Sequence, residues 1–193
     1  MRDSLHFLKA FAKNPRNMGA VLPSSKFLAR RIVGKLDLGC DGSVLELGPG
    51  TGPFTREVHD QVGGGGRYLG IDMNADMVHL LSARFPAMRF VCGQAQSAEE
   101  HLEFHGIRNV RLIISGLPFA ALPEHVQDGV MDSLVRMLRP GVEFRTFQYV
   151  HALRMQGAQR FRAQMTRRFG KPAVSRPVML NVPPAVVLSW TGR

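Results

Sequence analysis

The chain has 193 residues, is 45% hydrophobic and carries a formal net charge of +10. That length suits one α/β domain with a sizeable core and little beyond it. No apolar run reaches membrane-spanning length and no signal-peptide pattern opens the chain, so a soluble or peripheral protein is expected rather than an integral or exported one. Cys40 and Cys92 stand far apart without metal-ligand spacing; they are expected to be reduced, buried thiols, and no metal site is expected. The charge is uneven. Residues 1–35 hold eight Lys/Arg against one acid, residues 36–143 eight against fourteen, and residues 144–193 nine with no acid. Basic ends around an acidic middle predict a polyanionic partner, either nucleic acid or an anionic bilayer.

In chain order, the first expected element is an amphipathic helix within residues 1–22. At 100° per residue, Leu5, Phe7, Leu8, Phe11 and Ala12 share an arc of about 160°, with Arg2, His6, Lys9 and Lys13 opposite. Aromatics that can sink and bases that can meet headgroups are the pattern of an interfacial helix, and Arg16 adds charge. Beyond it, strand and helix signals alternate as in a doubly wound sheet. Strands are expected over 43–47, 67–71, 88–92, 110–115 and 142–149, and helices over 25–36, 53–61, 75–85, 97–104 and 123–138. Pro53 suits a helix start because its missing donor is not needed there. Residues 155–169 carry Phe161, Met165 and Phe169 at i+4 spacing, with Arg154, Arg160, Arg162, Arg167 and Arg168 supplying charge, which offers a second membrane-facing surface. The end of the chain reads as two short strands, 178–180 and 185–190, around Pro183-Pro184.

The segment Glu46-Leu47-Gly48-Pro49-Gly50-Thr51-Gly52 says most about chemistry. Three glycines at alternate positions strip a turn of side chains, so a ligand can press against backbone. A phosphate-binding dinucleotide turn needs its third glycine one place later, where Pro53 stands. The carboxylate of Glu46 would repel a phosphate and suits a cationic ligand. Asp72, followed by Met73, ends the second strand about twenty residues on, where an acid can accept ribose hydroxyls; Asp72 or Asn74 could equally cap the next helix. Gln94-Ala95 follows the third strand, a place that resembles the one where methyltransferases often hold the adenine amino group, which implies that it lines an adenine slot. Ser115-Gly116-Leu117-Pro118-Phe119 after the fourth strand resembles the loop of amine methyltransferases at that place, which implies a carbonyl, a small hydroxyl and an aromatic wall around a nucleophilic nitrogen.

The glycine turn resembles motif I of the S-adenosylmethionine (SAM)-dependent methyltransferases, whose acid faces the amino end of the methionine moiety. Glu46, Gly48, Pro49, Gly50, Thr51, Gly52, Asp72, Met73, Gln94, Ala95 and Ser115 are then the cofactor-binding candidates. Across nearly its whole length the chain further resembles the bacterial phospholipid N-methyltransferases. The resemblance runs through Asn14-Pro15-Arg16-Asn17-Met18-Gly19-Ala20-Val21-Leu22-Pro23-Ser24-Ser25, Glu46–Gly52, Ser115–Phe119, Phe147-Gln148-Tyr149 and Asn181-Val182-Pro183-Pro184-Ala185. It implies a class I Rossmann-like methyltransferase domain over 23–193 with an antiparallel C-terminal hairpin, anchored to anionic membranes by residues 1–22. The implied reaction takes SAM to S-adenosylhomocysteine and methylates phosphatidylethanolamine toward phosphatidylcholine, on the cytoplasmic side of the inner membrane.

Tyr149, Ser115, Gly116 and Leu117 are the candidates at the reaction centre. Tyr149 would contact the headgroup through its hydroxyl or by cation–π attraction. His151 is a further candidate for taking the proton, and Arg16 or Arg154 for the lipid phosphate. The sequence departs from the family at Asp72, where Glu is usual, at Gln94, where Asp is usual, and at Val142, where a second glycine is usual. Three other readings compete. Ornithine-lipid methyltransferases share much of the pattern. RNA adenine dimethyltransferases have a loop resembling Leu117-Pro118-Phe119, although the C-terminal helical domain they carry has no counterpart here, so nucleic acid is not the expected partner. A catalytically silent membrane-binding protein of the same fold is the third. Oligomeric state is left open.

Overall fold

The computed structural model describes residues 24–63 and 66–193. The expected N-terminal amphipathic helix and most of the Asn14–Ser25 string lie outside the described residues. Six helices and seven strands follow in the order α1 (Lys26–Val33), β1 (Ser43–Leu47), α2 (Pro53–Val62), β2 (Tyr68–Asp72), α3 (Ala75–Arg84), β3 (Arg89–Cys92), α4 (Ala98–Phe104), β4 (Val110–Ser115), α5 (Glu124–Met137), β5 (Glu143–Tyr149), α6 (Gln156–Phe169), β6 (Ala173–Val174) and β7 (Ala185–Thr191).

The strands form one sheet in the order β3-β2-β1-β4-β5-β7-β6. β1 to β5 run parallel, and β7 lies antiparallel between β5 and β6. Chain order reverses beside β1, which lies between β2 and β4. In open parallel sheets ligands collect at such a reversal, beyond the carboxyl ends of the strands.

Each face of the sheet carries its own core, which is why β1 after Ser43 reads as an apolar run broken only by Glu46. Val44 meets Leu28, Ile32, Phe54, Val58 and Leu81 of α1, α2 and α3 on one face. Leu45 and Leu47 meet Leu102, Val126, Leu134 and Phe161 of α4, α5 and α6 on the other. Helix starts are set locally: Ser25 Oγ accepts from Leu28 N at 3.2 Å, Asn74 Oδ1 accepts from Asp76 N at 2.9 Å, and Pro53 opens α2. Asn74, not Asp72, therefore caps α3.

Three expectations are corrected. Phe161, Met165 and Phe169 are buried and face the sheet, Phe161 stacking on Phe119 at 3.9 Å between ring centroids. That stripe cannot be a membrane surface. Residues 178–180 form no strand; Val178 makes one bridge to Ala185, and the antiparallel partner on that side of β7 is the two-residue β6. Both cysteines are exposed, because Cys40 sits in the turn before β1 and Cys92 ends a strand at the sheet edge.

Candidate active site

Glu46 occupies the centre of β1, 0% exposed, with its carboxylate on the face covered by α2. Tyr68 donates its hydroxyl to Glu46 Oε2 at 2.6 Å, and Thr55 of α2 donates to the same oxygen at 3.0 Å. Glu46 Oε1 is buried with no hydrogen-bond partner. Burial pushes the carboxyl up to about 7; the bonds from Tyr68 and Thr55 pull the other way, and the nearby Asp72 charge adds to the rise. Burial also holds Tyr68 well above its ordinary value, with Glu46 reinforcing the shift, so the phenol stays a donor.

The turn after β1 places Gly48, Gly50 and Gly52 at φ of +70°, +56° and +81°. Two of the three also serve packing: a Cβ on Gly48 would lie 2.9 Å from Leu117 Cδ2, and one on Gly52 would lie 2.5 Å from Leu81 Cδ2. Gly50 has no atom within 4 Å on that side, so it is the glycine that faces open space. Its amide donates to Asp72 Oδ2 at 2.9 Å, while Asp72 Oδ1 accepts from Asn74 N at 2.9 Å. Asp72 thus ties β2 to the glycine turn. Burial raises its pKa and the backbone bonds from Asn74, Gly50 and Met73 oppose that rise.

On the other side of β1, Gly116 N donates to Leu47 O at 2.8 Å, and a Cβ on Gly116 would lie 2.4 Å from Gly48 O. The loop after β4 therefore closes directly on the first bend of the turn. Ser115 is buried; its Oγ accepts from Leu117 N at 3.2 Å, and its carbonyl accepts from Thr146 Oγ1 at 3.1 Å. Phe119 is buried in the core, which corrects the expected aromatic wall. Met73 is half-buried, Gln94 exposed, and Ala95 buried at the start of a short 3₁₀ turn.

Tyr149 ends β5. Its ring stacks on His151 at 5.7 Å and 9°, and meets Phe147 edge-on at 5.4 Å; Phe147 in turn meets Phe54 edge-on at 5.8 Å. Burial raises the Tyr149 phenol above its ordinary pKa. Arg154 is exposed and Arg16 lies outside the described residues.

Glu46, the glycine turn, Asp72 and the Ser115–Leu117 loop are thus one connected cluster. Two of its members escaped the sequence reading: Thr55 and Tyr68, which hold Glu46. The available signal was Gly70, a glycine inside a strand, which marks a close approach. Among the described residues no group of three His, Cys, Asp or Glu converges as a metal site would require, and no helix is long and apolar enough to cross a membrane.

This sheet order with a side-chain-free turn after β1 and an acid ending β2 defines a class I SAM-dependent methyltransferase. The chain belongs to the family described as Methyltransferase domain, which matches residues 44–141. It is 29% identical over 147 residues to the ornithine lipid N-methyltransferase of Singulisphaera acidiphila, covering 75% of this chain and 77% of that one. In fold it is similar to a TehB-like SAM-dependent methyltransferase from Corynebacterium glutamicum, at 17% identity and a TM-score of 0.62, covering 96% of this chain and 97% of the other. It is also similar to Aeropyrum pernix fibrillarin with natively bound SAM, at 17% identity and a TM-score of 0.63, covering 86% and 74%.

Proposed function

We propose that this protein methylates the amine headgroup of phosphatidylethanolamine, toward phosphatidylcholine, at an anionic membrane surface. The observation that carries the lipid part is the match over three quarters of the chain to a protein named for N-methylation of a lipid. The residues suit the methyl donor. Glu46 Oε1 is a buried acceptor without a partner, which a cationic amino group would satisfy. Gly50 leaves open space at the turn, and Asp72 keeps lone pairs for hydroxyls.

When bound, SAM supplies an already activated methyl group on a sulfonium, so the chain's own task is alignment and proton removal. An alkylammonium must lose its proton before its nitrogen can attack. The Tyr149–His151 stack at the end of β5 is the group of this chain suited to receive a methylated ammonium by cation–π attraction and to pass on the proton. The backbone of Gly116 and Leu117 frames the approach of the nitrogen.

The relative's name favours ornithine lipid as a second substrate, with the same amine chemistry. Labelled SAM offered to vesicles of phosphatidylethanolamine and, separately, of ornithine lipid tests both readings. Label in the phosphatidylethanolamine headgroup supports the first. Label confined to ornithine lipid replaces it with the second, and SAM binding without transfer to either lipid removes the lipid assignment.

A further inference from the structure

Exposed apolar side chains gather where the chain doubles back between β6 and β7. Met179, Leu180 and Val182 are 69%, 64% and 64% exposed, whereas Asn181 among them is 2% exposed. Its Oδ1 accepts from Ser25 N at 2.9 Å, and its Nδ2 donates to Pro183 O at 2.6 Å. The buried amide pins the turn to the start of α1 and leaves its three apolar neighbours to solvent. That inverts the usual order, in which the amide faces water and the aliphatic groups do not.

A second bond, Val150 N to Pro184 O at 2.8 Å, ties the same turn to the residue after Tyr149. Phe27 in the first turn of α1 and Val150 itself are also exposed. The turn is therefore tied to the end of β5, where the substrate amine is expected. Its surroundings are basic: Lys26, Arg154 and Arg176 are exposed, and residues 144–193 hold no acid at all. Apolar tips set in one-signed positive charge complement a bilayer with anionic headgroups above hydrocarbon. A second copy of this chain would set like charge against like.

We propose that the 178–184 turn inserts Met179, Leu180 and Val182 into the headgroup–acyl boundary of an anionic bilayer, so that a lipid amine meets the Tyr149 end of the site without leaving the membrane. The benefit to catalysis rests on the lipid-amine reading above; the insertion itself does not. It also gives the membrane contact a place on the folded domain, which α6 cannot supply.

The test uses the full chain and vesicles of phosphatidylethanolamine with and without phosphatidylglycerol. Met179→Glu/Leu180→Glu, at two exposed positions, should weaken sedimentation with anionic vesicles by about tenfold or more, with thermal midpoint and SAM affinity unchanged. Leu180→Trp should keep binding and show blue-shifted emission from the new indole when anionic vesicles are added. Unchanged sedimentation of the double variant, or an unshifted indole, overturns the proposal. So does conversion of a dimer to a monomer by the double variant without vesicles, or faster tryptic cleavage within residues 1–23. Those outcomes would seat a second copy, or the chain's own N-terminal segment, on the patch. Vesicle insertion without lipid methylation would leave this inference standing and sink the lipid-substrate reading alone.

Discussion

Tyr68 reaches Glu46 from two residues upstream on the neighbouring strand. Their strands pair Val44 with Tyr68 and Glu46 with Gly70, yet the phenol donates to Glu46 Oε2 at 2.6 Å. Gly70 makes this possible, since a Cβ there would lie 2.8 Å from the Tyr68 hydroxyl. With Oε2 held by Tyr68 and Thr55, Oε1 is the oxygen left for a ligand. Hydrogen bonds to a charged group contribute about 1.5–3 kcal/mol. Tyr68→Phe should therefore lower the thermal midpoint and weaken SAM binding about tenfold by calorimetry. An unchanged SAM affinity would show that Thr55 and packing hold the acid unaided.

The ionisation of Glu46 links stability to pH. Its carboxyl is raised from 4.5 to about 7. The unfolded chain therefore releases this proton first, and between those values the folded protein holds more protons. The stabilisation is fully present below about pH 4.5 and is lost as pH rises through about 7. The loss amounts to about 3 kcal/mol at most. The thermal midpoint of the ligand-free protein should fall across that window, and Glu46→Gln should remove the slope. A slope persisting in the Gln variant would assign it to another acid.

The same proton should govern the methyl donor. The carboxylate attracts an ammonium and the neutral acid does not, so SAM affinity should rise as pH increases through about 7. Calorimetry across that range with Glu46→Gln should give weaker and pH-independent binding. Equal affinity for wild type and variant would place the amino group of the methionine moiety elsewhere.

Two glycines of the turn should separate packing from ligand contact. Both have positive φ, so alanine at either brings strain of about 1–2 kcal/mol. Gly52→Ala additionally drives a Cβ to 2.5 Å from Leu81 Cδ2, and its main effect should be a large loss of thermal midpoint. Gly50→Ala meets no protein atom within 4 Å and should fold with a modest loss, yet bind SAM at least about tenfold more weakly. Similar SAM affinity for Gly50→Ala and wild type would mean that the ligand does not lie against Gly50.

Local pattern and tertiary arrangement were unequally legible. β1 and β4 have the expected bounds because both are apolar runs ended by glycine turns. The Glu46–Gly52 turn and the acid ending β2 were legible because their residues are consecutive or tied to strand ends. Periodicity showed that Phe161, Met165 and Phe169 share a face, but it cannot say what covers that face; the answer was Phe119 and the sheet, not lipid. The role of Tyr68 depends on parallel register and on space left by Gly70, neither of which is local in sequence. β6 is two residues long, too short for any alternation to register.

In the proposed reaction, Tyr149 is the residue assigned to the amine. Its ring is fixed between Phe147 and His151, so truncation and removal of the hydroxyl should have different consequences. Tyr149→Phe keeps the stacked face and should keep attraction for a methylated ammonium, which is a property of the ring. If the hydroxyl orients the amine or relays its proton, this variant should lower turnover on phosphatidylethanolamine vesicles about tenfold, with SAM affinity unchanged. Tyr149→Ala also removes the ring and should further slow the second and third transfers, whose substrates carry apolar methyl groups that a ring face contacts. Headgroup-resolved product analysis reads both effects, as a drop in total label and as a shift toward monomethylated lipid. Identical rate and product distribution for Tyr149→Phe and wild type would take the hydroxyl out of the reaction and leave only the ring.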